Sequence, residues 1–129
     1  MTATAQSAEE EFKHFYGLDV VVIPPNTSCI RIDHKDVIFK TKKEKNRALL
    51  NEIIKTTQTR RPILVGTSSV KESTFLAKNL QRHNIKCDVL NAKRDEAEAQ
   101  IIAQAGKLGA VTISTNIAGR GVDIRLGGV

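Results

Sequence analysis

Apolar residues recur along this chain in two rhythms, a helical spacing of three to four residues and short unbroken runs, and their alternation predicts the elements. Ser7 with Glu10, Thr41 with Glu44 and Ser69 with Glu72 each place a glutamate three residues after a hydroxyl. At that spacing the hydroxyl accepts from a first-turn amide while the carboxylate reaches back to the cap, so three helix starts are expected. The first helix runs through Phe12 and Phe15 to Gly17, a residue suited to the left-handed conformation at a helix end. The second carries Ala48, Leu49, Ile53 and Ile54, and the third carries Phe75, Leu76 and Leu80, both at helical spacing. A fourth, from about Asp95 to Ala105, puts Ala99, Ile102 and Ala103 on one face and stops at Gly106.

Between these lie runs rich in β-branched residues: Val20 to Ile23, Val37 to Phe39, Ile63 to Thr67, Asp88 to Leu90 and Ala110 to Thr115, which read as strands. Ile63-Leu64-Val65 and Val111-Thr112-Ile113 do not alternate cleanly, the pattern of strands covered by helices on both faces. From Pro62 onward the order is strand, helix, strand, helix, strand. Right-handed crossovers then build a three-layer α/β domain with a mainly parallel sheet. Pro24, Pro25 and Asn26 open a connecting segment.

Length and composition narrow this to one soluble globular domain. The chain has 129 residues, 40% of them apolar and 26% charged, enough for one core and too few for two. Its apolar runs are strand-sized, too short to span a bilayer. Residues Met1 to Glu11 are small, polar and then acidic, unlike a secretory signal, so a cytosolic setting is expected. Cys29 and Cys87 lie far apart with no second ligand at metal spacing, which points to neither a disulfide framework nor a zinc site. The net charge of +6 suits an anionic partner. Much of the excess, however, sits in Lys40, Lys42, Lys43, Lys45 and Arg47, a run that reads as the solvated entrance of a helix.

In an open parallel sheet, ligands bind beyond the carboxyl ends of the strands. That rule selects Gly66 to Ser69, Asn91 to Asp95 and, above all, Thr115 to Asp123. In the last stretch Gly119 and Gly121 permit close backbone approach, and Arg120 between them is a fixed cation able to meet a phosphate. Asp123 can accept from a ribose hydroxyl, accept from an amide or hold an arginine. On spacing alone, Gly-Arg-Gly after a strand is more often just a tight turn with a solvated arginine. Gly106-Lys107 is not a P-loop: Ile101 and Leu108 stand where the glycine and the Ser or Thr are needed, and no phosphate-binding lysine of that type is present. His14 and His83 read as surface or helix-end residues, and Ser68 and Ser69 have no evident base. Asp95, Glu96 and Glu98 suit a helix N-terminus, and Arg60 and Arg61 suit solvent.

The run TNIAGRGVDIRLGG at Thr115 to Gly128 resembles helicase motif V in the form found in SecA preprotein translocase motors. The resemblance continues through Pro62 to Ser69, Val89 to Lys93 and Ile102 to Ile113, and reaches Met1-Thr-Ala-Thr-Ala and Val22-Ile-Pro-Pro-Asn. It implies that residues 1–129 are a second RecA-like lobe, truncated before the arginine-bearing motif VI, that closes over ATP or ADP with Mg²⁺ held mainly by a first lobe. No catalytic set is complete in such a chain, and it binds no metal of its own. By the family pattern Asp123, Arg120, Gly119 and Gly121 face the nucleotide, and Thr115 and Asn116 couple the loop to the interface between lobes. The implied partners are the first lobe, the SecYEG channel and preprotein, with an anionic membrane surface compatible with the charge. The implied location is peripheral, at the cytoplasmic face of the bacterial membrane.

Several positions depart from the family pattern: Ala3 replaces Gly, Ile117 replaces Met, Val122 replaces Thr, and Arg94-Asp95 follows Asn-Ala-Lys. The last resembles accessory SecA paralogues of actinobacteria. Two other classes compete with a motor half. A nucleic-acid helicase second lobe would share the core and the basic charge, but Phe12, Phe15, Tyr16, Phe39 and Phe75 leave little to stack on bases, so no nucleic acid is expected. A non-catalytic interaction module would lack a first lobe altogether.

Overall fold

The computed structural model describes residues 2, 4–90, 97–115 and 122–128. The chain divides into two compact units, residues 1–37 and 38–129.

In the first unit a single 3-10 turn, Gln6–Ala8, leads into helix α1, Glu9–Tyr16. The helix starts later than its capping signature suggests. Its N-cap is Ala8, and the Ser7 hydroxyl donates to the Thr4 carbonyl at 3.4 Å, so Ser7 makes no cap. Glu9, Glu10 and Glu11 fill the first turn instead, where carboxylates oppose the positive end of the helix dipole. The far end is as expected: Gly17 sits at φ 61° and its amide donates to Lys13 O.

Beyond α1 the strands expected at Val20 to Ile23 and Val37 to Phe39 do not form. Both stretches lack regular secondary structure and are largely exposed, with Val21 80% and Ile38 92% accessible. Branched residues suit a strand only where a ladder partner satisfies the backbone, and neither stretch has one among the described residues.

The second unit holds the sheet. Helix α2 (Lys42–Thr57) is capped by Thr41, whose hydroxyl accepts from the Glu44 amide at 3.2 Å. Strand β1 (Ile63–Gly66), helix α3 (Val70–Arg82), β2 (Asp88–Leu90), α4 (Glu98–Ala105) and β3 (Val111–Ser114) follow. The strands are parallel in the order β1-β3-β2, as alternating strands and helices require. The result is an α/β core around a three-stranded parallel sheet, as expected.

Burial explains the unbroken apolar runs. All four residues of β3 are buried, because β3 is central and helices cover both faces. Val65, Val111 and Ile113 pack with Ile53 of α2 and Leu76 and Leu80 of α3. Thr112 and Ser114 alternate to the other face, which α4 covers together with buried Leu90 and Ala105. Two helix assignments change. Phe75 is 54% exposed rather than core, since it lies one position off the Leu76 and Leu80 stripe. On α4, Ala99 is exposed and Ala105 is the buried alanine. The expected start of α4 at Asp95 lies outside the described residues.

Candidate functional site

The carboxyl ends of β1 and β3 are tied together by the Thr67 amide donating to Ser114 O at 2.9 Å, and those of β3 and β2 by the Thr115 amide donating to Leu90 O at 3.3 Å. Thr115 is thus a half-buried residue fixed at the end of the central strand. Asn116, Gly119, Arg120 and Gly121 lie outside the described residues, as do Asn91 to Asp95. Val122, Asp123 and Ile124 alternate in burial, with Asp123 exposed between two half-buried aliphatic neighbours. That alternation leaves the carboxylate facing solvent, and it makes no ion pair among the described residues. An accessible carboxylate is free to accept hydrogen bonds from solvent or a solute.

Past Asp123 the chain makes a turn in which Gly128 N donates to Arg125 O at 3.0 Å. The turn docks on the residues between α4 and β3: Gly127 N donates to Gly106 O at 2.8 Å. Gly106, expected only as a helix stop, is buried and has φ −86°, so no left-handed conformation requires glycine there. Close approach does. A Cβ on Gly106 would collide with the Arg125 carbonyl oxygen and lie 2.7 Å from its carbon. Sequence offered no signal for this contact, because the partners are separated by β3 and the loop after it.

A second feature was only half legible. Ser69 caps α3 by accepting from the Glu72 amide at 3.2 Å, but the Glu72 carboxylate accepts from Ser68 instead, from its hydroxyl at 2.7 Å and its amide at 3.2 Å. Those Ser68 bonds hold the Glu72 carboxyl below the ordinary carboxylate range, with Lys45 and Lys42 adding smaller attraction. Glu72, Ser68, Lys45, Asn46 and Phe75 line a cleft of about 260 Å³ beyond β1. A larger cleft, about 530 Å³, lies within the first unit among Phe12, Leu18 and Val20 to Ile23, with Asp19 the one titratable residue among its described lining. None of its described lining residues is a cation for a phosphate.

Lys40, Lys42, Lys43, Lys45 and Arg47 are all exposed around the start of α2, as their run suggested. His83 is exposed, with Nδ1 2.9 Å from Asn79 O at the end of α3. Arg60 and Arg61 are exposed too, though Arg60 O accepts from Gly109 N at 2.7 Å. No helix among the described residues is long and apolar enough to cross a membrane.

Residues 28–129 match the SecA P-loop domain family. The chain is 55% identical over 99% of its length to the protein translocase subunit SecA of Acetivibrio thermocellus. It is 53% identical over 99% to that of Symbiobacterium thermophilum and 54% identical over 98% to that of Syntrophus aciditrophicus. It spans only 14 to 15% of the length of these relatives. With a parallel α/β core and a family match that takes in the sheet and the segment carrying Asp123, this chain belongs to the SecA family of protein translocase subunits.

Proposed function

We propose that the chain supplies the second half of an ATP site between two lobes, in the ATP-driven motor of preprotein translocation. The observation that carries this reading is the anchoring of Thr115 at the carboxyl end of the buried central strand, with Asp123 exposed on the segment that follows. In this reading Asp123 accepts from the nucleotide's ribose, Arg120 lies toward the phosphates, Gly119 and Gly121 let the backbone approach, and Thr115 and Asn116 link the loop to the facing lobe. Bound ATP with Mg²⁺ supplies the phosphoryl group whose hydrolysis drives movement. The chain has no G-x-x-x-x-G-K-[ST] run, so a first lobe must provide the phosphate cradle and hold the metal. What this chain adds on closure is fixed charge and exclusion of water.

The further partners in this proposal are the SecYEG channel and preprotein, at the cytoplasmic face of the membrane. Relatives that are translocase subunits do not favour a nucleic-acid helicase.

Calorimetry with ATP and ADP tests the reading, using the chain alone, then mixed with the P-loop lobe, then with Asp123→Ala. Binding should appear in the mixture and weaken roughly tenfold or more with the substitution, since a hydrogen bond to a charged acceptor is worth about 1.5–3 kcal/mol. Hydrolysis by the lone chain, or a mixture indifferent to the substitution, refutes it.

A further inference from the structure

We infer that Gly106 is a positioning residue: the buried notch it leaves between α4 and β3 seats the turn at Arg125 to Gly128 and so fixes where Asp123 stands. This rests on the nucleotide role proposed for Asp123.

Three observations converge on the notch. Gly106 O accepts from Gly127 N at 2.8 Å, and the turn it receives is closed by the Gly128 amide on Arg125 O at 3.0 Å. Any side chain at Gly106 would strike the Arg125 carbonyl and approach Leu126 Cα to 3.1 Å. A Cβ at Gly128 would in turn meet the Lys107 side chain, 2.8 Å from Cε, so the contact is close on both sides of the turn. The colliding atoms at Gly106 are backbone, which cannot swing aside as a flexible side chain does. The Arg125 carbonyl would have to withdraw by more than an ångström to reach ordinary contact.

Such a shift propagates to Asp123 through covalent reach. Two residues of chain span at most about 7 Å, so a backbone anchored at Arg125 confines Asp123 to a small volume. On the upstream side, the Thr115 amide is anchored on Leu90 O. Misplacing a binding group by about 1 Å can cost roughly a hundredfold where geometry matters. The backbone around the notch is held by Lys107 N donating to Gln104 O and Ala110 N donating to Lys107 O, both at 3.0 Å, and by Ile63 N donating to Ala110 O at 2.8 Å.

The test compares Gly106→Ala, Gly109→Ala and Asp123→Ala in the full-length SecA protein that carries this chain. It reads hydrogen exchange at the Gly127 amide, the KM for ATP and the melting temperature. Gly109 lies three residues after Gly106 at φ 77° with nothing within 4 Å of an added Cβ, so its alanine strains the backbone without touching the seat. Gly106→Ala should expose the Gly127 amide and raise KM by about tenfold or more. Gly109→Ala should lower the melting temperature while leaving both the amide and KM near wild type. Gly127 protection that survives Gly106→Ala, or KM changes equal in the two glycine variants, overturns the inference. Should Asp123→Ala keep a wild-type KM, the nucleotide reading fails. An exposed Gly127 amide in Gly106→Ala would then uphold the seat alone and overturn its role at the nucleotide.

Discussion

Replacing Leu80 with alanine tests the packing that holds the candidate site in place. Leu80 is fully buried in the cluster formed with Ile53, Val65, Leu76, Val111 and Ile113, at the junction of α3 with the sheet. Truncation removes its terminal carbons, a transfer loss of about 2.4 kcal/mol at roughly 0.8 kcal/mol per methylene. A cavity term adds to this unless the surroundings collapse. Collapse is hindered, because Leu80 O accepts from both His83 N and Ile85 N at 3.0 Å, pinning the end of α3. A total of about 3–4 kcal/mol is expected, within the usual leucine-to-alanine range of about 2–5 kcal/mol. Against a native stability of about 5–15 kcal/mol, that is a large fraction. Urea unfolding followed by far-ultraviolet circular dichroism should show it as a lowered midpoint with unchanged slope. Phe75→Ala, on the same helix but 54% exposed, should cost about 1 kcal/mol or less. Equal losses from the two substitutions would mean that α3 meets the sheet through a different stripe, and the packing argument would fail.

Two more outcomes follow from ionisation. The Glu72 carboxyl is held low in the folded chain by Ser68, so its contribution is present above the unfolded carboxylate pKa and is lost as pH falls through the lower folded value. The melting temperature of wild type should therefore exceed that of Glu72→Gln at neutral pH and converge with it in acid; a gap independent of pH would refute the assignment. Burial, with a smaller push from Asp88, raises the Cys87 thiol above its ordinary value, whereas Cys29 is exposed. Iodoacetamide under native conditions should label Cys29 first and Cys87 fully only after denaturation, read by peptide mass spectrometry; equal native rates would contradict the burial of Cys87.

Much of the core was determined by the sequence itself. The unbroken apolar runs at Ile63 and Val111 and the helical spacing of Ile53, Leu76 and Leu80 specified a covered parallel sheet, because periodicity directly encodes which faces are dry. The caps at Thr41 and Ser69 were legible for the same local reason: a hydroxyl and the amide three residues on need only one turn of helix to meet. The run from Thr115 to Gly128 was legible as a series of residue types, and of the positions it singled out the described residues include Thr115 and Asp123.

Tertiary structure decided what depends on partners far away along the chain. Val20 to Ile23 and Val37 to Phe39 have the composition of strands, but a strand exists only where another backbone pairs with it, and composition does not say whether one will. Closer along the chain, side-chain geometry alone chose Ser68 over its neighbour Ser69 as the partner of the Glu72 carboxylate, four residues on. Gly106 was read locally as the end of a helix. Its reason for being glycine is the backbone of Arg125, brought against it only after β3 has crossed the sheet and the chain has returned.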